Sequence, residues 1–461
     1  MDDPLFDEPI EVSLALAQSR SRRRQVNLEK PDIEISDETR SVLEMLEDTS
    51  QNVFLTGRAG TGKSTLLNHF RTVTKKNIAV VAPTGVAAVN VHGETIHHFF
   101  KFGIGITPDQ VRRAGKERAK VLGSLDMLVI DEISMVRADL FDCVDRALRL
   151  NGPQPHLPFG GVQMLLIGDL YQLPPVVMAQ ERGFFDGSYY RSPYFFDAKS
   201  YAGGGFETVE LTHVYRQSDK AFVDMLDAIR VAKATEAHLA GINSRLGGAP
   251  PADAFQVSLV PRNQMADTIN GKHVEKLAGA GRTYEGSVSG DFREKDFPTA
   301  HRLHLKEGAQ VMLLSNDQKK RWVNGDLAQV ISLLPYKVRV RFEDGRETDV
   351  ERYTWEKVNF VFDEDAGSVV AAAAGSFAQF PLRLAWAVTI HKGQGKTYDR
   401  VAIDFGSGMF APGQAYVALS RCRSLEGLSL TSPLKKNHIF TDPRIDEFMA
   451  GRDEGYMVEY L

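Results

Sequence analysis

Val53-Phe54-Leu55-Thr56-Gly57-Arg58-Ala59-Gly60-Thr61-Gly62-Lys63-Ser64-Thr65-Leu66-Leu67 is the stretch whose reading decides the fold. Val53 to Leu55 reads as a buried strand, Gly57 to Ser64 satisfies GxxxxGK[ST], and Leu66, Leu67 and Phe70 then recur at helical spacing. A strand, a glycine-rich turn and a helix in that order form a phosphate-binding loop. Gly57, Gly60 and Gly62 let backbone N–H groups turn inward around phosphate oxygens, and the helix N-terminus adds partial positive charge. In such a loop Thr61 and Thr65 flank the groups that matter most: Lys63 for the β- and γ-phosphates and the Ser64 hydroxyl for Mg²⁺. The expected occupants are ATP and Mg²⁺.

A triphosphate site needs acidic groups as well. Met127-Leu128-Val129-Ile130-Asp131-Glu132 offers a second buried strand ending in two carboxylates, at the strand end where open α/β sheets bind ligands. Asp131 is the expected metal ligand and Glu132 the group that orients or deprotonates water. Ile78 to Val81 and Met164 to Ile167 read as further parallel strands. The last leads into Gly168-Asp169-Leu170-Tyr171-Gln172-Leu173-Pro174-Pro175, where Gln172 either senses the γ-phosphate or merely caps the strand.

Composition narrows the class. With 43% hydrophobic residues over 461 positions the chain can bury about three domain cores. No uncharged apolar run approaches the ~18 residues of a membrane span. The start, MDDPLFDEPI, lacks the basic and apolar parts of a signal peptide. Two cysteines, Cys143 and Cys422, argue against a disulfide scaffold or a cysteine-held zinc and suit a reducing compartment. The net charge of −5 leaves nucleic acid open, because binding needs a local basic groove rather than a basic total.

Farther along, a second α/β section is expected from Leu211, with the helical run Phe222, Met225, Leu226, Ile229 and the strand Val257 to Val260. Ala309 to Leu314, Leu327 to Leu334, Val338 to Phe342 and Val358 to Phe362 then read as β-segments, punctuated by Asn324-Gly325 and Asp344-Gly345. Leu384 to Ile390 and Val401 to Phe405 resume the α/β pattern, so an all-β insertion interrupts the second section. The first thirty residues read as a mobile tail or at most a short amphipathic helix.

Several further blocks, taken with these, carry a resemblance. They are Ala82 to Ala88, Gly93-Glu94-Thr95-Ile96-His97-His98-Phe99-Phe100, Leu211-Thr212-His213-Val214-Tyr215-Arg216-Gln217, Pro381 to Thr397 and Gln414-Ala415-Tyr416-Val417-Ala418-Leu419-Ser420-Arg421. In this order, over about Ile35 to Leu430, the set resembles the Pif1-like family of superfamily 1B DNA helicases. The resemblance implies two RecA-like P-loop domains with a small SH3-like all-β insertion in the second. Residues 1–34 are then a tail, 35–210 domain 1A with a small 1B wedge near 100–122, 211–302 and 383–445 domain 2A, 303–382 the 2B insertion, and 446–461 a C-terminal tail.

It implies roles too. Arg216 and Arg421 look like arginine fingers, although Arg421 taken alone reads equally as a helix-surface residue. Gln394 and Gly395 join the nucleotide site. Thr84, Val86, Thr95, His97, Phe99, Pro174, Asn263, Thr389, His391 and Lys392 are implied DNA contacts. The basic residues Lys101, Arg112, Arg113, Lys116, Arg118 and Lys120 lie near DNA or form a solvated face. The implied activity is ATP-driven 5′-to-3′ unwinding of single-strand–duplex junctions, forks and G-quadruplex DNA in replication, repair, recombination and telomere maintenance. The implied protein has no membrane contact, is monomeric when free, and is cytoplasmic in a bacterial or phage-like setting, nuclear or mitochondrial in a eukaryote. A DNA-stimulated ATPase that remodels nucleoprotein without separating strands is the alternative. The sequence departs from the family at Thr39, where the family carries an adenine-reading glutamine, and at Gly393, where it carries serine. Asp142 to Arg149 matches the eukaryotic signature only loosely.

Overall fold

The computed structural model describes residues 36–453 apart from 104, 218, 249–254, 364–367 and 407. The expected N-terminal tail lies outside the described residues. Ser36 caps helix α1 (Asp37–Asp48), its hydroxyl accepting the Thr39 amide at 3.2 Å. Then come β1 (Asn52–Gly57), α2 (Lys63–Val73), β2 (Ile78–Ala82), α3 (Gly85–Asn90), β3 (Glu94–Thr95), α4 (Ile96–Phe100), α5 (Lys116–Gly123), β4 (Met127–Ile130), α6 (Ala138–Asn151), β5 (Gln163–Ile167) and β6 (Phe206–Leu211). The six strands form one sheet in the order β3-β2-β4-β5-β1-β6, every neighbour parallel. Helices cover both faces, so β4 and β5 are buried throughout. That double burial is why they read as unbroken apolar runs instead of alternating ones. β1 lies between β5 and β6, with Val53 opposite Leu165 and Glu207. Its C-terminal end lies on the same edge of the sheet as the end of β4, where Asp131 stands, with β5 between them.

The second unit holds α7 (Lys220–Arg230), α8 (Glu236–Asn243), β7 (Val257–Val260) and α9 (Asn263–Lys276) before the chain leaves it. β8 (Arg282–Glu285), β9 (Ser287–Gly290), β10 (Arg302–Leu305), β11 (Gln310–Leu313), β12 (Leu327–Leu333), β13 (Val338–Phe342), β14 (Glu347–Val350), β15 (Tyr353–Asp363), β16 (Ser368–Gln379) and β17 (Leu382–Leu384) build the insertion. Its main sheet, β14-β13-β12-β11-β17, is antiparallel and has its own core around Val311, Val330, Val340 and Leu382. β18 (Ala387–Thr389), β19 (Val401–Ile403), α10 (Gln414–Leu419) and β20 (Leu428–Leu430) return to the second unit, whose parallel sheet runs β18-β7-β19-β20. α11 (Pro443–Asp453) closes the described chain.

Two sequence expectations need correction. The insertion was placed at 303–382, but antiparallel pairing begins about Arg282: β8 pairs with β10, and β9 with β16. Only Tyr284 of β8 is buried and β9 is exposed throughout, so neither leaves an apolar run to read. Residues 446–453, assigned to a C-terminal tail, belong to α11, whose Phe448 stacks on Phe196 at 4.2 Å and so binds the helix to the first unit. Residues 454–461 of that tail lie outside the described residues.

The basic stretch near 100–122 was expected either near DNA or as a solvated face, and Lys101, Arg112, Arg113, Lys116 and Lys120 are exposed. Arg118 and Lys120 also meet the long hairpin β15–β16. Arg118 donates to the Phe360 carbonyl at 3.2 Å and stands 3.6 Å from Glu94, and the Lys120 ammonium lies 4.6 Å from the centre of the Phe362 ring. Glu94 is buried and accepts the Phe360 amide and, at 2.7 Å, His98 Nδ1. A buried carboxylate must be paired, and here its partners come from both units. The hairpin is thereby fixed to the first unit.

Candidate active site

A cavity of about 850 Å³ opens between the two parallel sheets. Its walls include Thr39, Gly60, Thr61, Gly62, Lys63, Ser64, Thr65, Asp131, Glu132, Asp169 and Gln172 from the first unit, and Tyr215, Arg216, Gly395, Thr397, Arg421 and Arg423 from the second. Gly57 and Gln394, both expected at the site, stand just outside its walls and act through hydrogen bonds described below.

The phosphate loop takes its shape from two left-handed glycines. Gly60 has φ +87° and Gly62, the N-cap of α2, φ +84°. A β-carbon on Gly60 would come within 2.6 Å of Arg216 Cβ, so glycine is required both for the turn and for the approach of the second unit. Lys63 Nζ donates to the Gly57 and Arg58 carbonyls at 2.7 and 2.9 Å. Burial holds its pKa below the ordinary lysine value, partly offset by Asp169 and Glu132.

At the end of β4, Asp131 and Glu132 are both pushed toward protonation, first by burial; Asp131 adds to the effect at Glu132. Glu132 also holds a left-handed backbone, φ 51° and ψ 44°, which costs a non-glycine residue on the order of 1–3 kcal/mol. Two desolvated carboxylates beside the Ser64 hydroxyl form an all-oxygen donor set that suits a hard divalent cation such as Mg²⁺. Among the described residues no group of three or more His, Cys, Asp and Glu could hold a metal without such outside ligands.

From the second unit come two guanidiniums. Arg421, 1% exposed, donates to the Val417 carbonyl at 2.9 Å, the Ser420 hydroxyl at 2.9 Å and the Lys396 carbonyl at 3.4 Å. Arg216 donates to the Ser420 carbonyl at 3.3 Å. Neither is paired with a carboxylate among the described residues, and burial lowers both pKa values, that of Arg216 to about 9. A buried and a half-buried cation with neutral partners, sharing a cavity with Lys63, form a receptor for a multiply charged anion. The helix-surface alternative for Arg421 is thereby excluded.

Three linkages went unrecognised in the sequence. Tyr416 Oη accepts the Ala59 amide at 2.9 Å, seating α10 on the phosphate loop. Gln394 Nε2 donates to Glu132 Oε2 at 3.0 Å and Gln172 Oε1 at 3.2 Å, joining the units at the carboxylate. Arg230 reaches Asp169 at 3.0 Å. The available signal was positional: Phe222, Leu226 and Arg230 are spaced by four, which puts a charge on an apolar stripe.

The residues expected at DNA divide by exposure. Thr84, Val86, Asn263, His391 and Lys392 are exposed, each just beyond the C-terminal end of β2, β7 or β18. Thr95, His97 and Pro174 are half-buried, and the Thr95 hydroxyl caps α4 by accepting the His98 amide at 3.3 Å. Thr389 is buried, its hydroxyl accepting the Lys392 amide at 3.4 Å. Phe99 does not fit the expectation. Its ring is 0% exposed, packed between Phe100, Phe360 and the Arg118 guanidinium, and offers no face to a base.

Comparison with known proteins agrees with this geometry. A family model described as PIF1-like helicase matches residues 34–238, and one for the 2B domain of DNA helicase Pif1 matches 294–333. The chain is 36% identical over 429 residues to the ATP-dependent DNA helicase Pif1 of Bdellovibrio bacteriovorus, covering 90% of this chain and 92% of that one. Fungal and vertebrate relatives are longer, and the chain spans 58–69% of their length. Its structure resembles Bacteroides Pif1 in complex with ADP-AlF4, with a TM-score of 0.85 and 36% identity over 92% of this chain and 98% of that one. Against Bacteroides Pif1 bound to ssDNA, with the same identity and coverage, the TM-score is 0.67.

Proposed function

The chain belongs to the PIF1-like helicase family and is an ATP-dependent DNA helicase, and on that premise we propose that hydrolysis in the cavity between its two parallel sheets drives it 5′-to-3′ along single-stranded DNA. One observation carries the mechanism. Arg421, buried, and Arg216, half-buried, both without carboxylate partners among the described residues, face Lys63 and Glu132 across a cleft between separate units.

ATP lies along the loop Gly57 to Thr65, with Lys63 on its β- and γ-phosphates. Ser64 and Asp131 would hold Mg²⁺, which when bound neutralises charge on the phosphate oxygens. Glu132 takes a proton from water as the water oxygen bonds to the γ-phosphorus. The bond to the bridging oxygen breaks, and ADP and phosphate result. A carboxylate whose pKa burial raises is better matched to that task than an ordinary one. Gln172 orients the water. Arg216 and Arg421 stabilise charge on the transferring group, and because they belong to the second unit, loss of the γ-phosphate weakens the attraction that holds the units together. That change is the motor stroke.

DNA is held through Thr84, Val86, Thr95, His97 and Pro174 on the first unit and Asn263, Thr389, His391 and Lys392 on the second. Hydroxyls, amides and an ammonium bind phosphates without reading sequence, which suits a motor that passes any base. The substrates are single strands, strand junctions, forks and G-quadruplexes; the settings are replication, repair, recombination and telomere maintenance. The free protein acts as a monomer, in the cytoplasm of a bacterium or the nucleus or mitochondrion of a eukaryote. Among the described residues no helix is long and apolar enough to cross a membrane.

The test is unwinding of paired 5′-tailed and 3′-tailed duplexes with ATP, GTP or no nucleotide. Strand separation of the 5′-tailed duplex alone, with nucleotide, supports the reading. ATP consumption without strand release would favour a translocase instead.

A further inference from the structure

We propose that Arg230 is a positioning residue that links the second unit to the water-activating carboxylate: by fixing Asp169 it sets Gln172 and, through Gln394, Glu132. The inference rests on the site reading above and extends it to a residue outside the cavity walls.

Arg230 is the last residue of α7, and its side chain is 8% exposed. It crosses to the first unit, where Nη2 and Nε donate to the same carboxylate oxygen, Asp169 Oδ1, at 3.0 and 3.2 Å. The Asp169 side chain is 0% exposed. A charge so buried requires its partner, and removing one member of such a pair leaves the other uncompensated. Tyr171 locks the guanidinium, its ring centre lying 4.6 Å from Arg230 Cζ.

The path continues from Asp169 without a gap. Asp169 Oδ1 also accepts the Tyr171 amide at 3.2 Å, and Oδ2 accepts Gln172 Nε2 at 3.3 Å. That bond decides which way the Gln172 amide faces: with Nε2 held by Asp169, Oε1 is turned to Gln394 Nε2 at 3.2 Å. The same Gln394 nitrogen donates to Glu132 Oε2 at 3.0 Å. Starting in the second unit and passing through it again at Gln394, the chain Arg230–Asp169–Gln172–Gln394–Glu132 crosses the cleft three times. A shift of α7 relative to the first unit must therefore pull on Asp169, release the Gln172 orientation and disturb Glu132. Arg216 and Arg421 sense phosphate charge directly, whereas Arg230 couples the position of the second unit to the water side of the reaction.

Arg230→Gln and Arg230→Lys in the full chain test this, with thermal unfolding, single-strand DNA affinity, steady-state ATPase with DNA, and ATP consumed per base pair unwound. Arg230→Lys keeps Asp169 compensated and so guards against loss of folding, but it lacks the fork. For Arg230→Gln the expected result, below its melting temperature, is a kcat with DNA lowered about tenfold or more and KM for ATP changed less than about threefold, with more ATP consumed per base pair. Arg230→Lys should recover part of kcat. A purely structural pair would lower the melting temperature and leave kcat and coupling intact in both folded variants, and that result overturns the proposal. Absence of DNA-stimulated ATPase in the unaltered protein would instead refute the parent reading.

Discussion

Replacing Arg421 with alanine is the sharpest perturbation of the cleft. The guanidinium is 1% exposed and hydrogen-bonds only to neutral acceptors, so water screens its charge little. A unit charge developing about 4 Å away interacts with it by about 4 kcal/mol at an effective dielectric of about 20. At about 1.36 kcal/mol per decade of rate, that predicts a loss of about a thousandfold in DNA-stimulated kcat. Nucleotide binding should survive, because Lys63 and the loop amides remain. Stability should fall only modestly, since the deletion removes a buried charge together with its three hydrogen bonds. The assay is steady-state ATPase with saturating single-stranded DNA, beside a fluorescent-nucleotide titration and a thermal melt. A folded Arg421→Ala protein that binds nucleotide and hydrolyses within about threefold of the unaltered rate would refute the reasoning.

Lys63→Ala should abolish ATPase and unwinding while retaining most single-strand binding, read by fluorescence anisotropy. Glu132→Gln should lower kcat by about a hundredfold or more, as expected for a lost general base, with ATP affinity retained in equilibrium binding. Phe360→Ala removes a buried ring that packs 5.9 Å from Phe99 at the joint between hairpin and first unit. It should cost about 3–5 kcal/mol locally, seen as faster amide exchange in 353–379 before exchange rises in the β4–β5 core.

Particular residues show what was legible beforehand. Met127 to Ile130 was bounded to the residue because a strand buried on both faces in a parallel sheet is uniformly apolar, and Val257 to Val260 because its apolar run is broken only by Ser258. Phe206–Leu211 escaped notice because an edge strand is half-exposed and its Glu207 and Glu210 resemble loop residues. Asp344-Gly345 fixed its hairpin through a local left-handed glycine, φ +81°. The docking of β15–β16 on the first unit depends on Glu94 meeting Phe360 across 266 residues, and no local pattern records such a contact. Phe99 was misread for a related reason: adjacency to His97 in a polar motif says nothing about which way a ring on a short helix turns. The loop glycines, Lys63, Ser64, Asp131 and Glu132 were readable because their chemistry is set by spacing along one chain segment. The units' mutual contacts, Tyr416 on Ala59 and Arg230 on Asp169, arise only once two sheets are brought face to face.

The central claim is that the state of the phosphates in the cleft sets the grip on DNA. Its most direct test is the dissociation constant for a fluorescent single strand with no nucleotide, with ADP, and with ADP plus aluminium fluoride. The account predicts affinities that differ between states by about tenfold, a coupling of about 1.4 kcal/mol, and that converge in Lys63→Ala. Equal affinity in all three states of the unaltered protein would contradict it.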